Sequence, residues 1–302
     1  KANFVSKRQT MRRSRTNRPG DRSPSKDTAP RKTQLRPSAG LSVADRPFAG
    51  AGPGTVTLWG RHAVTAALSN TNREILAIHG AGKAESTLAS MFEEIGAKRR
   101  SVLPEPTIQG IDELTNKVPP DAVHQGFVVI TRALPGLALE DLITRIGPTP
   151  DSLLVVLDQV TDPHNVGAVL RSAAAFGAAG LIVQSRYAPP ADGVLAKAAS
   201  GALELVPIVE VTNIARALDR LKEGGFWCVG LSGDGAVSID RANLSGKIAM
   251  VLGAEGPGLR RLPRERCDVI VHLPTELGFS TLNISNAAAI ALYEVRRAGV
   301  DG

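Results

Sequence analysis

The chain has 302 residues, of which 43% are hydrophobic and 22% charged, with a formal net charge of +7. That is enough for one or two globular domains with real cores plus extensions. No apolar run approaches the roughly 20 residues that cross a bilayer as a helix, so a helical membrane protein is excluded.

The charge is uneven. Residues 1–54 hold 13 Lys/Arg against 3 Asp/Glu, a net of +10, whereas residues 55–302 hold 23 against 26, a net of −3. The first segment (KRQTMRRSRTNRPGDRSPSKDTAPRKTQLRPSAG) is rich in Arg, Ser, Pro and Thr and too poor in apolar residues to fold alone. It reads as a disordered basic arm adding nonspecific phosphate affinity, or as a solubilising tail. An organelle-targeting peptide is the weaker reading, because the segment lacks an amphipathic apolar face.

Ordered structure is expected from Thr55. Residues 55–133 run TVTLWGRHAVTAAL, REILAIHGAG, a helical STLASMFEEIGAK and HQGFVVITRAL, which predicts a small α/β domain. Residues 134–150, bracketed by prolines, read as a linker with one helical patch. Residues 151–302 then alternate buried strands with helices. SLLVVL (152–157) precedes a helix from Val166, and GLIVQ (180–184) precedes VLAKAASGA. LVPIVEV leads into NIARALDRLKEGG; FWCVGLS, KIAMVLG and VIVHLP are further strands; NISNAAAIALYEVRRA closes as a helix. Continuous apolar strands alternating with helices predict a parallel sheet covered on both faces. Cys228 and Cys267 sit inside apolar strand-like segments and read as free thiols, which fits a reducing, cytoplasmic compartment. With no CxxC and no clustered His/Cys/Asp set, no metal site is expected.

The glycine clusters do not make standard nucleotide motifs. A GxxxxGK loop would need a glycine at 77, where Ala77 stands, and GAEGPG (253–258) is not GxGxxG and follows a late strand. GLSGD (230–234) misses the GxSxG elbow at Asp234. Three loops remain, each after a buried strand, where open α/β sheets bind ligands. They are DPHNVG (162–167) with Arg171 on the following helix, VLGAEGPGLRR (251–261), and HLPTELGFSTLNISNAAAIALYE (272–294). Singly, each has a plain explanation: Asn165 or Asn283 could cap a helix and the glycines could make a turn.

Together, in this order in one domain, they resemble motifs 1, 2 and 3 of the SpoU-type (TrmH-like) RNA ribose 2′-O-methyltransferases of the SPOUT superfamily. KAASGALELVPI (197–208), GRHAV (60–64) and HQGFVV (124–129) also resemble that family, so the likeness spans residues 56 to 298. It implies an α/β catalytic domain with a C-terminal trefoil knot, preceded by a ribosomal-protein-like RNA-binding domain, in a homodimer that uses S-adenosylmethionine. By motif position it implies that Gly253, Gly258, Leu273, Thr281 and Leu282 hold the cofactor and that Arg171, Asn165, Glu255 and Asn283 serve catalysis. Arg61 and His62 of the small domain, with Arg171, are then expected to contact RNA. The third motif departs from the family's Pro-Met-x-Gly and Ser-Leu-Asn: here it is Pro274-Thr275-Glu276-Leu277-Gly278, then Thr281-Leu282-Asn283. The local loop path is therefore open.

Because a guanidinium does not release its proton in proteins, Arg171 is expected to grip phosphate and stabilise a developing alkoxide rather than act as a base. A separate N-terminal domain is a feature of the family's ribosomal-RNA members, which points by analogy to a guanosine of large-subunit RNA. Transfer RNA, or a non-catalytic ribosome-assembly role on the same fold, are the alternatives.

Overall fold

The computed structural model describes residues 54–82, 84–276 and 282–299. Residues 1–53 of the expected basic arm, and Thr281, lie outside them. The small N-terminal part runs β1 (Thr55–Trp59), α1 (Arg61–Ser69), β2 (Ile75–Ala81), α2 (Ala84–Glu94), α3 (Ala97–Arg100), β3 (Thr107–Gln109), α4 (Ile111–Thr115) and β4 (Phe127–Arg132). Its four strands form a sheet in the order β1-β4-β2-β3, antiparallel except for the β2–β3 pair.

Helix α5 (Leu139–Ile146) leads into the larger part: β5 (Ser152–Asp158), α6 (Pro163–Ala175), β6 (Gly180–Gln184), α7 (Gly193–Ala199), β7 (Ile208–Val211), α8 (Ile214–Glu223), β8 (Trp227–Leu231) and β9 (Val237–Ser238). β10 (Lys247–Gly253), α9 (Arg261–Arg266), β11 (Val269–His272) and α10 (Ile284–Ala298) complete it. Seven strands pair in the order β7-β6-β5-β10-β8-β11-β9, all parallel. The short β9 and α9, which carries Pro263, were not predicted from periodicity.

The central strands are buried on both faces, which is why they carry no polar alternation. Leu153, Val155 and Leu157 of β5, with Ile248, Met250 and Leu252 of β10, face α6, α7 and α10 in one core cluster. Leu154 and Val156, with Ala249 and Val251, face α5 and α8 in another. Leu139 and Leu142 of α5 belong to that second core. Helix starts follow capping chemistry: Asp162 Oδ1 accepts from His164 N at 2.9 Å with Pro163 at the first helical position, and Asp192 and Asn213 cap α7 and α8. Asn165 is thus inside the first turn of α6 and is not its cap.

The first core cluster continues into the small sheet, and two contacts close the seam. A Cβ on Gly193 at the start of α7 would stand 1.8 Å from the Trp59 ring, so only glycine lets β1 and α7 meet. Arg73, 2% exposed, donates through Nε to both Glu204 oxygens at 3.1 Å and through Nη2 to Oε1 at 2.6 Å. Its Nη1 donates to the Arg132 carbonyl at 3.0 Å, and Asn70 Nδ2 donates to Glu204 at 2.6 Å. Removing one partner of a buried, fully hydrogen-bonded pair leaves the other charge uncompensated. Glu204→Ala should therefore lower the unfolding free energy by about 3–5 kcal/mol, read as a fall in the urea midpoint.

Candidate active site

The carboxyl ends of β5, β10, β8 and β11 point to one edge of the sheet, where the strand order reverses on either side of β5 and β10. An open cleft of about 1090 Å³ lies there, lined by the loop after β8, the loop after β10, the segment after β11 and the start of α10. Gly253, Gly258, Leu273 and Leu282, expected from the motifs, all line it, as do Glu255 and Asn283.

Asn165, Glu255 and Asn283 come from three loops and meet in one hydrogen-bonded junction. Asn283 Nδ2 donates to Glu255 Oε1 at 2.6 Å and to Asn165 Oδ1 at 3.1 Å, and Asn165 Nδ2 donates to the same Glu255 oxygen at 3.2 Å. The Ile284 amide adds a third donor to Oε1 at 3.3 Å, which leaves Oε2 without a partner among the described residues. Asn283 is also the cap of α10, its Oδ1 accepting from Ser285 N at 2.8 Å. Asn283 thus caps α10 with its Oδ1 while its Nδ2 bonds Glu255 and Asn165.

Two features place Glu255. Asp158, fully buried at the end of β5, accepts from Arg260 N at 3.1 Å, Nε at 2.9 Å and Nη2 at 2.5 Å. That pairing raises the Arg260 guanidinium further above its ordinary value. Gly253 lies under the returning loop: a Cβ there would be 2.1 Å from the Gly258 carbonyl carbon and 2.3 Å from Leu259 N. So glycine is required first by the chain's own backbone.

The cleft has a second polar group that the sequence did not single out. After β8, Ser232 Oγ donates to Asp234 Oδ1 at 2.5 Å, and Arg264 Nη1 donates to the same oxygen at 2.9 Å. These two bonds, Ser232 first, hold the Asp234 carboxyl below the usual carboxylate range. The signal was present in the sequence: GLSGD follows a buried strand in the same parallel sheet, so it had to emerge at the same edge.

Arg171 is exposed on α6, does not line the cleft, and has no hydrogen bond or ion pair among the described residues. Arg61 and His62 are exposed at the start of α1, also away from the cleft lining. The Arg61 amide donates to Gln125 Oε1 at 3.1 Å, and Lys197 Nζ of α7 donates to that oxygen at 3.1 Å, so α1 is tied to the seam. Cys228 and Cys267 are free thiols, both pushed up to about 12 chiefly by burial. Among the described residues no group of three or more His, Cys, Asp or Glu could hold a metal ion, and no helix is long and apolar enough to cross a membrane.

A parallel α/β sheet with two motif loops lining a cleft, and a third bonded to them through Asn165, defines a class. Residues 152–293 match the SpoU rRNA methylase family. The chain is 38% identical over 241 residues to the 23S rRNA (guanosine-2′-O-)-methyltransferase RlmB of Vibrio vulnificus, covering 80% of this chain and 96% of that one. It is 37% identical over 246 residues to the RlmB of Pseudomonas putida, covering 80% and 95%. Among solved structures it is similar to the SpoU methyltransferase AviRb from Streptomyces viridochromogenes in complex with AdoMet, with a TM-score of 0.69, 26% identity, and coverage of 82% and 92%. The chain belongs to the SpoU rRNA methylase family.

Gly253→Ala tests the backbone constraint. It should cost about 1–3 kcal/mol, as overpacking does. Amide exchange should quicken across residues 254–260 and stay unchanged in the small sheet.

Proposed function

We propose that this protein transfers a methyl group from S-adenosylmethionine to the ribose 2′-oxygen of a guanosine in 23S ribosomal RNA, acting with that RNA in the cytoplasm. The observation that carries the reading is the Asn165–Glu255–Asn283 junction, which joins three motif loops at the mouth of one cleft. The RlmB relatives, matched over nearly their whole length, supply the substrate class.

The cleft suits the cofactor. Leu231, Leu252, Leu273, Leu282 and Ile284 give it apolar walls for an adenine ring, and the Gly253–Gly258 loop offers backbone groups beside them. When bound, S-adenosylmethionine supplies an electrophilic methyl on a sulfonium, which leaves as a neutral thioether. The protein must then place a weakly nucleophilic hydroxyl and ease loss of its proton. Asn165 and Asn283 hold Glu255, whose Oε2 is open to accept a hydrogen bond from the incoming hydroxyl. Arg171, exposed and unpaired among the described residues, grips the target phosphate and stabilises the developing alkoxide. Arg61 and His62 extend the RNA contact onto the small, ribosomal-protein-like domain. Thr281, by its motif position, adds a hydroxyl to the cofactor loop.

We further infer a trefoil knot and a homodimer. β11 enters the sheet between β8 and β9, and Gly235 lies so close under it that a Cβ would be 2.4 Å from the Val271 carbonyl carbon. Both observations support a chain threaded past the connection between β8 and β10, residues 232–246. For the dimer, the apolar positions of α10 divide. Ile284, Ala291 and Val295 are buried in this chain's own core, whereas Ile290 and Tyr293 are 43% and 52% exposed. Tyr293 stacks edge-to-face on Phe176 at the end of α6, with ring centroids 6.2 Å apart. These exposed groups beside α6 form the face offered to a second copy.

Arg171→Ala should lower methyl transfer to a 23S RNA fragment by at least about 100-fold and leave cofactor affinity within a few-fold. Arg171→Lys should rescue poorly, since a point charge cannot replace a bidentate fork. Near-normal turnover in either variant would remove Arg171 from the mechanism. Sedimentation equilibrium at micromolar concentration should give a dimer that Ile290→Asp with Tyr293→Asp dissociates. A wild-type monomer would sink that reading.

A further inference from the structure

The junction of Asn165, Glu255 and Asn283 lies on the β5 side of β10, whereas Ser232, Asp234 and Arg264 lie on the β8 side. β5 and β8 are two strand spacings apart, about 10 Å, a distance a nucleoside bridges. We propose that Asp234 binds a ribose hydroxyl of the cofactor: its Oδ2 accepts the O–H while Ser232 and Arg264 hold its Oδ1. This rests on the S-adenosylmethionine reading and assigns the end of the cleft which that reading leaves unexplained.

Three observations lead there. First, the hydrogen bonds on Asp234 are one-sided. Ser232 Oγ and Arg264 Nη1 both donate to Oδ1, and Oδ2 has no partner among the described residues. Arg264 Nη1 also donates to Ser232 Oγ at 3.1 Å, so the three side chains brace one another. Second, this bracing does little for stability. The Asp234 side chain is 73% exposed and that of Arg264 34%, and ion pairs so open to water contribute at most about 1 kcal/mol. A carboxylate held in fixed orientation on the wall of a cleft therefore points to a ligand. Third, the charges select the ligand group. Arg264 already neutralises the carboxylate, and Arg261 lines the same cleft. An ammonium would stand against guanidinium, and an anion would meet the carboxylate. A neutral donor meets neither objection. The cofactor's neutral donors are its ribose hydroxyls and its adenine amino group, and the apolar walls of the cleft already suit the adenine.

The test is calorimetric binding to the full chain, wild type against Asp234→Ala and Asp234→Asn. The probes are S-adenosylhomocysteine and 5′-methylthioadenosine, which keeps the ribose and adenine but lacks the amino-acid tail. Asp234→Ala should weaken both probes by the same factor, about 10- to 100-fold, with Asp234→Asn between it and wild type. A 2′,3′-dideoxy form of the thioether nucleoside should bind wild type and Asp234→Ala alike. If Asp234→Ala weakens S-adenosylhomocysteine but not methylthioadenosine, Asp234 holds the amino-acid end and the proposal is wrong. If it weakens neither probe while wild type binds both, Asp234 does not touch the cofactor. If wild type binds neither probe, the cofactor reading itself fails and takes this inference with it. An unchanged thermal midpoint in the variants excludes misfolding, as expected for so exposed a side chain.

Discussion

The way the chain leaves β10 governs the site. Asp158, at the end of β5, has no access to water, and a buried carboxylate is tolerable only when its lone pairs are filled. Arg260 fills them with its amide and its guanidinium, and also reaches Gln184 at the end of β6 at 2.8 Å. That fixes where the loop after β10 must end. It begins at Gly253, whose missing Cβ is occupied in effect by the backbone of Gly258 and Leu259. Between these points the chain reverses through Gly256 and Gly258, both with positive φ, and Gly258 N donates to Ala254 O at 2.9 Å. Glu255 sits at the top of that reversal. Its position against Asn165 and Asn283 follows from an ion pair on a buried carboxylate and from a backbone contact within this chain.

The seam with the small sheet works by the same means. The Arg73–Glu204 pair is nearly dry, and Gly193 admits the Trp59 ring. Lys197 gives the third tie, with its ammonium lowered by burial and bonded to Gln125. Gln125 holds positive φ without being glycine, a conformation kept only where the surroundings enforce it. Next to it His124 is also lowered, first by burial and then by Lys197, and its Nδ1 accepts from Gly126 N. A neutral imidazole and a half-buried ammonium are costly choices for a hinge. They suit a rigid seat that fixes the start of α1, with Arg61 and His62, relative to α7.

What could be read from the sequence divides along the same physical line. Buried parallel strands announce themselves because both faces are apolar, so SLLVVL, GLIVQ and KIAMVLG could be placed almost to the residue. The motif loops could be placed because each follows such a strand. β9 is two residues long and α9 contains a proline, so neither carries a period to detect. Long-range pairings such as Arg73 with Glu204, 131 positions apart, leave no local pattern at all. Gly253 was legible only as a motif or turn glycine; the Gly258 and Leu259 backbone that excludes a side chain there leaves no local pattern. Ser232 and Asp234 were weighed only against a nucleophile-elbow pattern. Failing that pattern hid the simpler fact that their strand ends at the same sheet edge as the others.

Arg171 shows where a single chain stops short. It stands six residues along α6 from Asn165, which at 3.6 residues per turn leaves it about 240° around the helix. The junction with Glu255 and Asn283 lies on one face of α6 and the guanidinium on another, while Gly167, between them in sequence, packs against Ala198 of α7. Arg171 accordingly does not line the cleft of its own chain. If Arg171 acts on the nucleotide that Glu255 and Asn283 help to receive, something else must carry the RNA or a second site to it. The proposed second copy, seated on exposed Ile290 and on Tyr293 where it stacks against Phe176 at the end of α6, would be that something. In that arrangement the cleft of one protomer would take its arginine from its partner, and catalysis would depend on assembly rather than on the fold of one chain.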